Sequence, residues 1–407
     1  MSALAIETRP VAVTSRPTLT ADLAAVAANT RDIAAHAPGA ALMAVVKADG
    51  FGHGAAEVAV TALAAGATRL GVTSVDEALA LRAAGVGAPI LSWLNPVDAD
   101  YAAAVAAGTD LAVPSRDHLD AVVAAATTAG TAHVHLHLDT GLARDGAPLA
   151  EWARLCRAAR LAEQRGLLRV DGVMGHLACA DVPADPSNAT GRTRFAWGVE
   201  VARATGLRPA HRHLAATAAT LTDPRTHHTL VRVGAGLFGI DPSGTVRLRP
   251  ALTLTAPVVS VRRVRAGTPV GYGHTWTVTA ATHLGLLPLG YADGLPRSAS
   301  GPDGRAEVLV RGRRRRVVGL ISMDQAVVDL GDDAVSPGEV ATVFGPGDDG
   351  EPTAADWAAW AGTIEHEIVT GIGGRVTRRT VGDEHLHAPV RRGAHRTAGP
   401  TGLRSVR

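Results

Sequence analysis

Four things are scarce in this sequence. Cysteine occurs only as Cys156 and Cys179, with no metal-type spacing, and so few thiols in 407 residues suit a reducing compartment. An excess of one charge is missing. The formal net charge is +2, which argues against a general affinity for nucleic acid. Long apolar runs are missing too. No stretch reaches the roughly 18 residues of a membrane helix, and the opening MSALAIETRP has no apolar core of signal-peptide length. A cytoplasmic protein that engages no membrane is the expectation. Aromatic residues make up 3% of the chain and tyrosines number three, so a tyrosine between glycines stands out.

Apolar residues are abundant, at 46%, enough for a large core. The length implies two domains, or one large barrel with a smaller module. Between residues 20 and 240 apolar runs of strand length alternate with helical spacing. The runs lie at 41–46, 70–73, 89–94, 110–113, 133–138, 169–174, 210–215 and 229–233. Eight strands with helices between most of them point to a (β/α)8 TIM-like barrel, with an open doubly wound sheet as the alternative. From about residue 245 the segments become short, β-rich and punctuated by turns, as in a C-terminal all-β domain, with one helix at 353–362. The expected division is an N-terminal extension over 1–15, a barrel over 16–244, a β-rich domain over 245–384 and a basic tail over 385–407. Both ends read as disordered.

A barrel carries its active site at the C-terminal ends of its strands. There the sequence sets Lys47 after the first strand, Asp139 and Arg144 after HVHLHL, His176 after RVDGVM, Thr217 after AHRHLA, and Arg232 and Gly234 at the last. A rim lysine can pair with a carboxylate such as Asp49, bind phosphate or form a Schiff base. GAGLFG at 234–239 matches a dinucleotide-binding pattern literally but is not followed by a helix, so that reading fails. Its glycines still allow close approach of backbone N–H groups to an anion. RGRRRR at 311–316 lies between strands with no interleaved aromatics, which favours a solvated hairpin over nucleic-acid contact. In the β-rich part GYGHTW (271–276) and SMDQ (322–325) stand out.

The chain resembles the alanine racemases, pyridoxal-phosphate enzymes, especially those of actinobacteria. The likeness rests on AVVKADGFGHG, HLDTGLARDG, MGHLACAD, HLAATAAT, RVGAGLFG, GYGHTW, PLGYADGLPR, ISMDQ and GTIEHEIVTGIGGRVTRR, in family order. It implies a barrel followed by a β domain, the cofactor pyridoxal 5'-phosphate, and interconversion of L- and D-alanine by two bases, supplying D-alanine to cell-wall precursors. Carried over motif by motif, Lys47 would hold the cofactor as a Schiff base and act as one base. Tyr272, from the partner of a homodimer, would be the other. Arg232 would face the pyridine nitrogen, with His176 beside it. Thr217, Gly234 and Ala235 would bind the phosphate. Arg144 and the backbone of Met323 would bind the substrate carboxylate, with Asp324 alongside.

The chemistry accounts for these residue types. Racemisation removes a proton from one face of the α-carbon and returns it to the other, so two bases on opposite faces suffice. A phenol needs help to act as a base, and Arg232, relayed through His176, would supply the positive charge. An arginine is a poor acid, so it would leave the pyridine nitrogen unprotonated and limit side reactions. Four positions depart from the family pattern. Phe51 and His366 replace tyrosines that contact the phosphate. Of the two, only His366 can donate a hydrogen bond, so it stands as a cofactor-binding candidate. His137 replaces a lysine that is carbamylated in many members, and Leu320 an arginine. The alternatives are a racemase for another small amino acid, or a cofactor-binding homologue without turnover. A related decarboxylase is more distant, because Arg232 stands where that chemistry calls for a carboxylate.

Overall fold

The computed structural model describes residues 15–301 and 303–382. The N-terminal extension over 1–15, but for its last residue, and the basic tail over 385–407, both expected to be disordered, lie outside them. The eight expected strands form one all-parallel sheet, in the order His211–His213, Leu168–Met174, Ala132–His137, Thr109–Val113, Ile90–Ser92, Arg69–Val72, Ala41–Val45 and Leu230–Val233. The two end strands meet through backbone hydrogen bonds from Thr229 N to Arg212 O (3.2 Å) and from Arg232 N to Ala215 O (3.0 Å), which bring the sheet round into a barrel. The open-sheet alternative is excluded.

Side chains alternate faces along each strand. Val134 and Leu136 point outward into the helix layer and are fully buried, while His135 and His137 take the other face. The apolar filling of the barrel is therefore small, consisting of Met43, Leu91, Ala112, Met174 and Leu230 with Trp93 against them. Polar side chains occupy the remainder. A larger core continues from the helix layer into the β-rich part, with Trp152, Phe195, Phe344 and Trp357 completely enclosed.

The β-rich part contains a six-stranded sheet ordered Arg313–Arg316, Glu307–Val310, Val340–Phe344, Leu252–Pro257, Thr18–Asp22 and Thr377–Val381. Thr18–Asp22 precedes the barrel in sequence yet pairs antiparallel with Leu252–Pro257 and parallel with Thr377–Val381. The first described strand thus belongs to the sheet of the β-rich part. The arginine hairpin is neutralised locally. Arg311 pairs with Glu339, Arg313 and Arg315 with Asp333, and Arg314 with Glu307 and Asp356, which fits a solvated hairpin.

Asn29 ties the first helix, Leu23–His36, to the segment leaving the barrel. Its side-chain amide donates to Leu237 O (3.1 Å) and Arg249 O (2.8 Å), and its oxygen accepts from Arg249 N (2.9 Å). Asn29 is fully buried, so Asn29→Ala would strand three backbone groups. The expected loss is about 3 kcal/mol, read as a lower denaturant midpoint; a midpoint unchanged from the parent would contradict this role.

Candidate active site

Lys47 lies two residues beyond the strand Ala41–Val45, and the backbone after it turns in an unusual way. Ala48, Asp49, Gly50 and Phe51 have φ between 52° and 59°, a single left-handed helical turn. Each non-glycine residue there costs roughly 1–2 kcal/mol, so the turn must be held from outside. The Glu77 carboxylate accepts from Ala48 N (2.6 Å), Thr73 N (2.8 Å) and Thr73 Oγ1 (3.1 Å). Asp49 Oδ1 accepts from Ala55 N (2.9 Å), and Arg378 donates to Gly52 O from the β-rich part. Both nearby carboxylates are therefore engaged with backbone. Among the described residues Lys47 has no hydrogen-bond or ion-pair partner, which removes the structural ion pair from the readings open in the sequence. Burial, followed by the charge of Arg144, lowers its pKa, with Glu77 opposing.

Lys47 is also the only lysine among 40 lysine and arginine residues. The composition carried that signal, and reasoning from motifs did not use it.

A cavity of about 330 Å³ opens at this rim. Lys47, Arg144, His176, Thr217, Arg232, Gly234, Ala235 and His366 all line it, together with Phe51 and His137. Arg232, at the end of the barrel's last strand, is 4% exposed. Its Nη1 donates to His213 O (2.8 Å) and His213 Nδ1 (3.0 Å), and its Nη2 to Gly175 O (2.7 Å), Leu214 O (3.3 Å) and His176 Nδ1 (3.2 Å). A guanidinium can only donate, so His176 accepts at Nδ1 and carries its proton on Nε2. Burial, then Arg232 and Arg144, push the His176 pKa down to about 3, so the ring is neutral. Burial takes Arg232 down to about 10, which leaves it charged at neutral pH.

The loop carrying Arg144 is pinned by Asp139 Oδ1, which accepts from Gly141 N (2.8 Å) and Ala143 N (3.2 Å). His137 lies 3.3 Å from Asp145 in that loop. Thr217 is buried, and its Oγ1 accepts from Gly236 N (3.2 Å), joining two short segments at one end of the cavity. Phe51 closes that end. Its ring packs on Phe238 (4.8 Å between centroids) and lies 6.0 Å from His366, and a Cβ at Gly234 would come within 3.1 Å of it.

Tyr272, Met323 and Asp324 are not brought to this cavity within one chain. Tyr272 is 71% exposed and Met323 53% exposed. Asp324 pairs with Arg375 (2.7 Å), and the Met323 carbonyl accepts from Ala292 N (2.9 Å). Leu320 lies beside the Tyr272 loop, its nitrogen 3.5 Å from where a Gly271 Cβ would be. Sequence reasoning missed Glu77, His135 and His213. The alternating histidines of HVHLHL and HRH were the available signal for the last two.

Buried histidines make the fold acid-sensitive. His53 donates from Nδ1 to Phe51 O (2.9 Å), and burial lowers its pKa from 6.5 to about 4. The unfolded chain thus binds this proton first as pH falls. Stability is full above about 6.5 and declines through the window down to about 4. At pH 5 this one group should cost about 2 kcal/mol relative to pH 8, and His213, shifted the same way by burial, adds to it. Urea unfolding at the two pH values checks this; equal midpoints would contradict it.

Comparison with known proteins agrees along the length of the chain. Residues 21–242 match the alanine racemase N-terminal domain and residues 251–380 the alanine racemase C-terminal domain. An alanine racemase of Frankia casuarinae is 49% identical over 367 residues, covering 88% of this chain and 95% of that protein. One from Streptomyces coelicolor is 51% identical over 371 residues, covering 88% and 94%. The crystal structure of alanine racemase from a D-cycloserine-producing Streptomyces lavendulae superposes with a TM-score of 0.88 at 45% identity, covering 92% of this chain and all of that one. With the barrel, the rim lysine and both domain matches in agreement, the chain belongs to the alanine racemase family.

Proposed function

We propose that this chain interconverts L- and D-alanine with pyridoxal 5'-phosphate as cofactor, working in the cytoplasm as a homodimer and supplying D-alanine for peptidoglycan precursors. The barrel would be the cofactor domain, and the β-rich part would carry residues to the neighbouring site. The observation that carries the reading is the chain's one lysine, without an ion-pair partner among the described residues, on a braced turn at the mouth of a cavity that also holds Arg144, His176 and Arg232.

The residues fit the cofactor. Lys47 offers one amine with a lowered pKa. Arg232 offers a buried cation for the pyridine nitrogen, with His176 beside it. Thr217, Gly234 and Ala235 line one corner of the cavity, where glycine at 234 avoids a tight contact with the Phe51 ring and leaves backbone open to a phosphate, and His366 adds a donor. When bound, pyridoxal phosphate supplies an aldehyde for an amine and a ring that delocalises negative charge at the α-carbon.

The chain's own part is proton transfer and orientation. Arg144, at the cavity rim, holds the substrate carboxylate, with the backbone of the partner subunit's Met323 and the partner subunit's Asp324 as further groups at that end. Lys47 Nζ moves the α-proton on one face. The partner subunit's Tyr272 moves it on the other through its phenolic oxygen. That arrangement accounts for a glycine-flanked tyrosine standing 71% exposed on a single chain. Burial, followed by the charge of Arg232, keeps the His176 ring neutral, and the bond from Arg232 to His176 Nδ1 orients it.

Lys47→Ala and Tyr272→Phe should each abolish D-alanine formation in a chiral assay with added cofactor. When the two variants are co-expressed, mixed dimers contain one site with both bases, so part of the activity should return. No recovery in a verified mixed dimer would refute the shared site. Inactivity of the parent chain toward alanine, with cofactor bound, would refute the substrate.

Phe51 cannot donate to a phosphate, so Phe51→Tyr should tighten cofactor binding by about fivefold, the worth of one hydrogen bond of about 1 kcal/mol. Unchanged or weaker binding would show that this corner does not face the phosphate.

A further inference from the structure

A barrel interior is normally filled by layers of branched apolar side chains. Here a line of polar groups runs from the cavity to the opposite end. Arg232 Nη1 reaches His213 Nδ1 at 3.0 Å, His213 Nε2 lies 2.7 Å from His135 Nδ1, and His135 Nε2 faces Asp110 Oδ2 at 3.8 Å. Asp110 is ion-paired with Arg69, whose other nitrogen lies 3.1 Å from His211 Nε2. His135 and His213 are fully buried, and Asp110 is 8% exposed.

The proton positions along this line follow one from another. Arg232 can only donate, so His213 Nδ1 is the unprotonated nitrogen and its proton is on Nε2. That proton points at His135 Nδ1, which must accept it. The His135 proton is then on Nε2, a buried atom with no hydrogen-bond partner, and it faces the Asp110 carboxylate. Reversing either ring would set two donors against each other at 2.7 or 3.0 Å.

We propose that Asp110 is a positioning residue that fixes Arg232 through the protonation order of His135 and His213. The space for this chain is built in. A Cβ at Gly172 would lie 2.2 Å from His135 Nδ1, so only glycine leaves room for the ring, which stacks on His211 at 5.8 Å and meets His213 edge-on at 4.9 Å. Asp110, His133 and Asp171 also lie within 4.8 Å of one another at this end. Arg69 and Arg169 already sit on those carboxylates, so the charge is balanced without a metal ion.

The functional consequence rests on the reading of Arg232 as the group that faces the cofactor nitrogen. Neutron diffraction from crystals of the holoenzyme tests the chain itself. The expected result is hydrogen on Nε2 and none on Nδ1 of both His135 and His213. A hydrogen on Nδ1 of either ring, or a doubly protonated ring, overturns the proposal.

Kinetics and spectra of the holoenzyme test the consequence. Asp110→Asn should lower kcat by about tenfold with KM for alanine within about twofold, because Arg144 is untouched, and should shift the bound cofactor's absorbance band. Asp110→Glu should recover at least part of both. Gly172→Ala, which alters no titratable group, should reproduce the Asp110→Asn spectrum. A folded Asp110→Asn enzyme with parental kcat and band overturns the relay. Arg232→Lys separates the two claims: an unchanged band in that variant faults the placement of Arg232, not the chain behind it.

Discussion

A single lysine amine held partly out of water, with no carboxylate paired to it among the described residues, is the constraint around which this molecule is arranged. Desolvation disfavours the charged form of a lysine, and a neighbouring carboxylate would undo that by forming an ion pair. The fold prevents the pairing by giving both nearby acids other work. Glu77 braces the left-handed turn through Ala48 N, and Asp49 caps Ala55 N. The same contacts that hold the strained backbone therefore keep Lys47 free. The β-rich part contributes as well, through the bond from Arg378 to Gly52 O, which couples the rim to the second sheet.

Behind the lysine the barrel is organised around a buried cation. Arg232 has five donor contacts to backbone carbonyls and histidine nitrogens, so it stays charged where an unsatisfied guanidinium would be prohibitive. Of the groups that receive these bonds, only His176 lines the cavity. That links the small apolar filling of the barrel to function: space that would ordinarily hold branched side chains is used to orient one arginine.

Much of this was legible in the sequence. The eight strands were, because most are short apolar runs bounded by turn residues, and the observed ends lie within two residues of the expected ones. The rim residues followed from the strand ends, and all seven of them, Lys47, Asp139, Arg144, His176, Thr217, Arg232 and Gly234, line one cavity. The left-handed turn was not legible. Glycines announce a loop there, but Ala48, Asp49 and Phe51 take positive φ under tertiary bracing that no local pattern encodes. The pairing of Thr18–Asp22 with strands more than two hundred residues away was also beyond local reading. So was the interior chain, since HVHLHL reads as a strand whichever face its histidines take. Tyr272, Met323 and Asp324 come from motifs that the fold of one chain leaves away from the cavity.

Reductive trapping tests the central claim most directly. The holoenzyme is treated with borohydride and its mass is measured intact and after digestion. Because Lys47 is the only lysine, the account predicts one phosphopyridoxyl group per chain, on the peptide that contains Lys47, and none on Lys47→Ala. A label confined to the N-terminal amine, or no label on a protein that retains the cofactor, would contradict it.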